Sequence, residues 1–135
     1  MKVLVTGVNG FVGMHIARHL RAAGFAVVGT VRSEAKIQSV AHLVDQAYVY
    51  DLRAPSVPKD LASFDAIVHL AHDFSQGAQP FNHTGTSMLA RAGADAGVPV
   101  QIYFTSYSAV ANAVTEYGRS KFALESVFKE LDAYV

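Results

Sequence analysis

Five short apolar runs, separated by longer polar or amphipathic stretches, constrain this chain more than anything else in it. Residues 2–6 carry Val3, Leu4 and Val5 in succession and end at Thr6-Gly7. A continuous apolar run this short suits a strand covered on both faces, the pattern of a parallel sheet. Residues 10–23 place Phe11, Val12, Ile16, Ala17, Leu20 and Ala23 at helical spacing, and Gly24 closes the pattern. The next segments predict a strand over 25–31, a short helix from an N-capping Ser33 to about Leu43, and a strand over 47–50. Pro55 and Pro58 mark a loop. A fourth strand is expected over 65–70, a helix over 79–96 stopped by Gly97-Val98-Pro99, a fifth strand over 100–105, and a last helix over 115–132 capped by Thr115. Ala133-Tyr134-Val135 reads as the opening of a sixth strand.

This alternation predicts an α/β fold: a doubly wound parallel sheet with right-handed crossovers and helices on both faces. At 135 residues, one domain covering 1–135 is expected. Eleven basic residues balance eleven acidic ones, which argues against nucleic acid or an anionic membrane surface as partner. No stretch approaches the roughly 20 apolar residues that span a bilayer. Cysteine is absent, so disulfides, thiolate metal ligands and a cysteine nucleophile are excluded, and a cytoplasmic location is expected.

Gly7, Gly10 and Gly13 fall between the first strand and the first helix. In that context glycines make a turn that receives a dinucleotide pyrophosphate. Gly7 permits the tight turn, Gly10 lets backbone approach the phosphates, and Gly13 lets helix pack on strand. The helix N-terminus supplies unpaired N–H groups and a positive dipole end. Arg32 follows the second strand, where an acidic residue would bind the ribose 2′-hydroxyl of NAD; Glu34 comes two residues later. A guanidinium suits a 2′-phosphate instead, so NADP is preferred over NAD.

Tyr117 and Lys121 are four apart in the last helix and share one face. A nearby ammonium favours the phenolate, and a phenol so tuned can give a proton to a carbonyl oxygen or take one from an alcohol.

The spacing Thr6-Gly7-x-x-Gly10-x-x-Gly13, followed by Tyr117-x-x-x-Lys121, resembles the extended and atypical short-chain dehydrogenase/reductases, including the NAD-dependent epimerase/dehydratases. Gly10-Phe11-Val12-Gly13 and Gly29-Thr30-Val31-Arg32 look most like the dihydroflavonol and cinnamoyl-CoA reductase branch. The resemblance covers the whole chain. It implies a Rossmann-type sheet, cut at the start of its sixth strand, with the substrate-binding lobe outside the chain. We therefore expect a fragment, whose open sheet edge would favour association or low stability.

By the same resemblance, Thr6, Gly7, Asn9, Gly10, Phe11, Val12, Gly13, Arg32, Asp51, Leu52, Leu70 and Ala71 run along the cofactor. Asn82 matches the asparagine of the helix behind the active site, and Lys121 also reaches the nicotinamide ribose. A serine after the fifth strand should polarise the substrate oxygen. The hydroxyl could come from Ser106, Ser108 or Tyr107, which stands where the family's usual second serine would be; strand alternation puts the two serines on the same side, and Ser108 is taken ahead of Ser106. The segment from Ser106 to Tyr117 is short for an extended member, which argues against a sugar-nucleotide substrate.

The expected function is an NAD(P)-dependent oxidoreductase or epimerase/dehydratase acting on a small carbonyl or alcohol. Tyr117 would be its acid/base. The alternative is a non-catalytic NAD(P)-sensing module of the same fold, which would need the glycine turn but not the Tyr–Lys pair. His15 and His19 are one helical turn apart, but no third ligand follows, so no metal is expected. His72 and Asp73 are candidates to touch substrate. The resemblance also implies a homodimer through helices 79–96 and 115–132.

Overall fold

The structure, a computed structural model, describes residues 1–133; Tyr134 and Val135, and with them the expected sixth strand, lie outside the described residues. Five parallel strands form one sheet: β1 (Lys2–Val5), β2 (Ala26–Val31), β3 (Gln46–Val49), β4 (Ala66–His69) and β5 (Val100–Tyr103). Their order is β3-β2-β1-β4-β5. The chain winds outward from β1 through β2 to β3, then returns to the other side of β1. The reversal point is therefore the gap between β1 and β4, whose register pairs Val3 with Ala66 and Val5 with Val68. In open α/β sheets a crevice opens at the carboxyl ends of the strands at such a reversal.

β1, β2 and β4 are buried on both faces because their residues alternate between two cores, while β3 at the sheet edge is partly exposed. Val3, Val5, Val27, Val31, Ala66 and Val68 join one cluster with Ala17, Val40, Leu43 and Val44. Leu4, Val28 and Ile67, the residues in between, join a second with Leu52, Phe64, Leu89 and Val98. A one-residue slip of β1 would exchange the two sets. Helix α1 (Phe11–Ala22) packs on the first face, and α3 (Gln79–Asp95) on the second. Helix α4 (Glu116–Glu130) lies along α3, where Ala90, Tyr103, Leu124 and Phe128 form a third, smaller cluster. Phe128 stacks on Tyr103 with centroids 4.5 Å apart.

Most expected boundaries shift by one or two residues, and for three the structure shows the physical reason. The helix expected from Ser33 to Leu43 is a 3₁₀ turn, Glu34–Lys36, followed by a single α turn, α2 (Ile37–Val40). Ser33 supplies its carbonyl to the Lys36 N–H at 3.0 Å, but its side chain makes no cap. Only Val40 of α2 itself is buried; Leu43 and Val44 reach the same core from the turn beyond it, which the Leu43 N–H closes on the Val40 carbonyl at 2.8 Å. The fourth strand stops at His69 because the N–H groups of Leu70 and Ala71 turn to Thr6 Oγ1, at 2.9 and 3.0 Å. The fifth stops at Tyr103, so Ser106 and Ser108 sit in a turn and not on a strand. Thr115 does cap α4, its hydroxyl accepting from the Gly118 N–H at 3.0 Å. No helix among the described residues is long and apolar enough to cross a membrane.

Candidate functional site

The glycine turn is built at the reversal point. Gly7 has φ of +65°, a conformation that side chains rarely adopt, and a Cβ there would lie 3.0 Å from the Ala71 Cα. A Cβ on Gly13 would lie 2.5 Å from the Gly7 carbonyl oxygen, so the helix can approach the strand only through glycine. Gly10 differs: a Cβ there would meet only the Gly7 oxygen, at 3.2 Å, with open space beyond. Gly10 is one of the residues that line the cleft. The turn is held by the Gly10 N–H on the Gly7 carbonyl at 2.9 Å and by the Val8 N–H on the Thr30 carbonyl at 3.1 Å.

The cleft has a volume of about 260 Å³. Of the residues the sequence singled out, it is lined by Gly7, Asn9, Gly10, Arg32, Asp51, Leu52, Leu70 and Ala71. Thr6 and Gly13 are buried beneath it, Thr6 fixing the backbone of residues 70 and 71. Phe11 and Val12 are exposed on the first turn of α1 and do not line it. Thr30, Lys36, Tyr50, His72, Asp73 and Phe74 line it and were missed as cofactor residues. For Lys36 there was a signal, since it brings a second cation four residues after Arg32. Glu34 is not among the lining residues, so this end of the cleft has two cations and the Asp51 carboxylate. Asp51 also accepts from its own loop, from the Arg53 N–H at 3.0 Å.

Beyond the cleft, the 72–79 loop leads to Tyr117. A smaller cavity of about 60 Å³ is walled by Tyr117, Ser120, Glu116, Asn82 and the residues His72 to Ser75. His72, Asp73 and Phe74 therefore border both spaces. The Tyr117 ring lies edge-on to His72 at 5.0 Å and nearly parallel to Phe74 at 5.5 Å. Burial pushes the His72 imidazole down to about 4, helped by the Lys121 charge, so it is neutral at pH 7.

Asn82 lines this smaller cavity and also fixes the loop. Its Oδ1 accepts from the Asp73 N–H and its Nδ2 donates to the Asp73 carbonyl, both at 2.8 Å. Asn82→Ala is expected to cost about 1–3 kcal/mol, the usual penalty for stranding buried polar groups. Hydrogen-exchange mass spectrometry should then show faster exchange across 72–79, and unchanged exchange would count against this role. Glu116 ties the same loop from α4, accepting from the Gln79 N–H at 3.3 Å. Arg53 pairs with Asp73 at 2.8 Å; bonds from Ser75 and then from this guanidinium hold the Asp73 carboxyl well below the usual range.

Lys121 is buried, and burial pushes its ammonium down to about 8. Its Nζ donates to the Phe104 carbonyl at 2.7 Å and lies 5.8 Å from the centre of the Tyr117 ring. An ammonium has three donors, so two remain. The candidate serines do not line either cavity. Ser106 Oγ and Ser108 Oγ bond each other at 2.9 Å, and Tyr107 is fully exposed. The Ser108 carbonyl packs on α4 beside Tyr117, since a Cβ on Gly118 would lie 2.5 Å from it. Among the described residues no group of three histidines or carboxylates could hold a metal ion.

The model of the NAD-dependent epimerase/dehydratase family matches residues 3–134. Among curated relatives, the Aspergillus terreus NAD-dependent epimerase/dehydratase terH is 40% identical over 88 residues, covering 58% of this chain and 26% of that protein. A Bacillus halodurans structure, provisionally described as an NAD-dependent epimerase/dehydratase, matches with a TM-score of 0.84 at 22% identity, covering 98% of this chain and 67% of that one. UDP-glucose-4-epimerase from Stenotrophomonas maltophila, solved with bound NAD, matches with a TM-score of 0.75 at 24% identity, covering 97% of this chain and 48% of that one. At these identities the structural likeness establishes the fold. The aligned segments span about a quarter of the first curated relatives, 24% to 26% of their length.

Proposed function

The chain belongs to the NAD-dependent epimerase/dehydratase family, and on that premise we propose that it binds NADP along the cleft at the carboxyl end of β1 and moves a hydride to or from a small carbonyl or alcohol. One observation carries this reading. The cleft that begins at the glycine turn ends at His72 and Phe74, and those residues also wall the cavity of Tyr117. The cofactor and acid–base ends of the site thus adjoin.

Gly7, Asn9 and Gly10 with the first turn of α1 would hold the pyrophosphate. Leu52 gives the adenine an apolar wall, and Leu70 and Ala71 line the path toward the nicotinamide. When bound, the cofactor supplies or accepts the hydride. Tyr117 gives or takes the proton at the substrate oxygen. Lys121 sits in the helical turn after it as its charged partner, its Nζ 5.8 Å from the centre of the Tyr117 ring. Ser106 and Ser108 are the candidates to hold the substrate oxygen, and Ser108 is supported by its packing on Gly118. A homodimer through α3 and α4 is supported by Phe81, Met88 and Phe122, which are exposed on those two helices. A cytoplasmic location fits the absence of cysteine.

Preference for NADP over NAD is supported by Arg32 and Lys36 together. Each charge-assisted bond to a 2′-phosphate is worth about 1.5–3 kcal/mol. NADPH should therefore bind more tightly than NADH, and Arg32→Asp should weaken NADPH on the order of tenfold to a hundredfold while sparing NADH. Cofactor fluorescence titrations check this. Equal loss for both cofactors would remove the 2′-phosphate assignment, and no binding of either would remove the function.

A further inference from the structure

Within the function proposed above, the substrate oxygen must lie where the cofactor cleft meets the cavity of Tyr117, since the hydride and the proton are handled from those two sides. His72, Asp73 and Phe74 border both spaces. The Phe74 side chain is apolar. The Asp73 carboxylate is an acceptor, already held by Arg53 and by the Ser75 N–H, each at 2.8 Å. Of the three side chains, His72 is the one with a donor to offer.

Asn82 decides which nitrogen of that imidazole carries the hydrogen. The Asp73 backbone orients its amide, with Oδ1 accepting from the N–H and Nδ2 donating to the carbonyl, both at 2.8 Å. The second hydrogen of Nδ2 remains, and His72 Nε2 lies 3.5 Å away. That distance is long for a bond, but it sets an N–H donor against Nε2. Nε2 is therefore the bare nitrogen, and Nδ1 holds the hydrogen. Nδ1 has no hydrogen-bond partner among the described residues, and it is not one of their buried unpartnered atoms, so it is accessible from outside.

The ring is also fixed in place. It lies edge-on to Tyr117 at 5.0 Å and to Phe74 at 4.8 Å. The charges that act on it are Lys121 and Glu116 from α4 and Asp73 beside it. Burial and the Lys121 charge outweigh the two carboxylates, so the imidazole is neutral above about pH 4. A neutral imidazole keeps its hydrogen and still donates a bond. Negative charge builds on a carbonyl oxygen as hydride reaches its carbon, and a fixed donor beside that oxygen lowers the barrier.

We propose that His72 is a catalytic residue whose Nδ1–H donates a hydrogen bond to the substrate oxygen beside Tyr117, as a second donor next to the serine of the turn after β5. The proton that ends on this oxygen comes from Tyr117, and the hydride that ends on carbon comes from the reduced cofactor. His72 keeps its own hydrogen throughout. The test has two readouts on the full chain. Nitrogen NMR of the isotope-labelled imidazoles near neutral pH, with the His72 signal assigned by its loss in His72→Phe, should show a neutral ring with the hydrogen on Nδ1. NADPH oxidation with a panel of aliphatic and aryl ketones and aldehydes is the second. His72→Phe keeps a ring against Tyr117 and should lower kcat about 10²-fold, the lower end of what one such donor contributes, with NADPH affinity within about threefold of wild type. His72→Asn, whose amide restores an N–H, should recover most of that loss. A charged ring, a hydrogen on Nε2, full turnover in His72→Phe or no recovery in His72→Asn would each overturn the proposal. If Tyr117-dependent turnover survives in His72→Phe, only this assignment falls. If the wild type binds NADPH but turns over none of the panel, the proposed reaction falls and takes this with it.

Discussion

Replacing Tyr117 by phenylalanine is expected to lower turnover about 10²- to 10⁴-fold, the range that a positioned general acid–base contributes, while leaving NADPH affinity near wild type. The substitution removes one oxygen and keeps the ring. Its packing against Phe74 at 5.5 Å and His72 at 5.0 Å is therefore retained, and with it the wall between the two cavities. Lys121 keeps its bond to the Phe104 carbonyl, so the helix face does not reorganise. Tyr117 does not itself line the cofactor cleft and meets its lining only through the ring contacts with His72 and Phe74, which phenylalanine keeps, so binding separates from chemistry. The pH profile adds an independent reading. Burial pushes the Lys121 ammonium down to about 8, so its charge is present below that pH and lost as pH rises through it. A rate that depends on this charge through Tyr117 should fall on the alkaline side of about 8, and the residual rate of Tyr117→Phe should lack that limb. Stopped-flow oxidation of NADPH with a panel of carbonyl compounds checks both. Unchanged turnover in the variant would remove Tyr117 from the chemistry, and cofactor binding without Tyr117-dependent turnover would favour a sensing module.

Much of this architecture was legible because it is local. Val3-Leu4-Val5 reads as a strand covered on both faces, and the structure distributes those residues between the two main cores. The glycines after it were legible as a turn from their spacing, and Gly13 answers a constraint from near neighbours, Gly7 and Val8, whereas a Cβ on Gly7 would meet the distant Ala71. The helix after Ser33 was not, because Leu43 and Val44 join Val40 in the first core from a turn, closed by the Leu43 N–H on the Val40 carbonyl, and not from a continued helix. Lys36, Tyr50 and Phe74 were missed as lining residues for a similar reason. They come from three different loops and meet only because the sheet order brings the ends of β2, β3 and β4 together. The choice among Ser106, Tyr107 and Ser108 depended on where β5 ends. With the strand finished at Tyr103, strand alternation no longer applies, and the turn places the two serine hydroxyls against each other.

The glycine turn should separate into a folding part and a binding part under mutation, and Gly13→Ala with Gly10→Ala makes the comparison. A Cβ on Gly13 would lie 2.5 Å from the Gly7 oxygen and 2.8 Å from the Val8 Cα. These are backbone atoms, so neither can rotate away. Val8 is fully buried and packs with β2 and α1 in the first core, so a shift there is felt across the sheet. Overpacking of this kind costs about 1–3 kcal/mol, which for a domain of this size lowers Tm by roughly 3–6 °C per kcal/mol. Cofactor binding should be lost as well, because the first turn of α1 would move off the cleft. Gly10→Ala is different. Its Cβ would meet only the Gly7 oxygen, at 3.2 Å, and Gly10 lines the cleft in which the phosphates are proposed to lie. Tm should hardly change, while NADPH affinity should fall on the order of tenfold or more, the loss of roughly one charge-assisted bond. Differential scanning fluorimetry with and without NADPH reads both quantities in one experiment. If Gly10→Ala kept its ligand-induced stabilisation, the phosphates would not lie on that turn. If Gly13→Ala kept its Tm, the close contact between α1 and β1 would not be what requires glycine there.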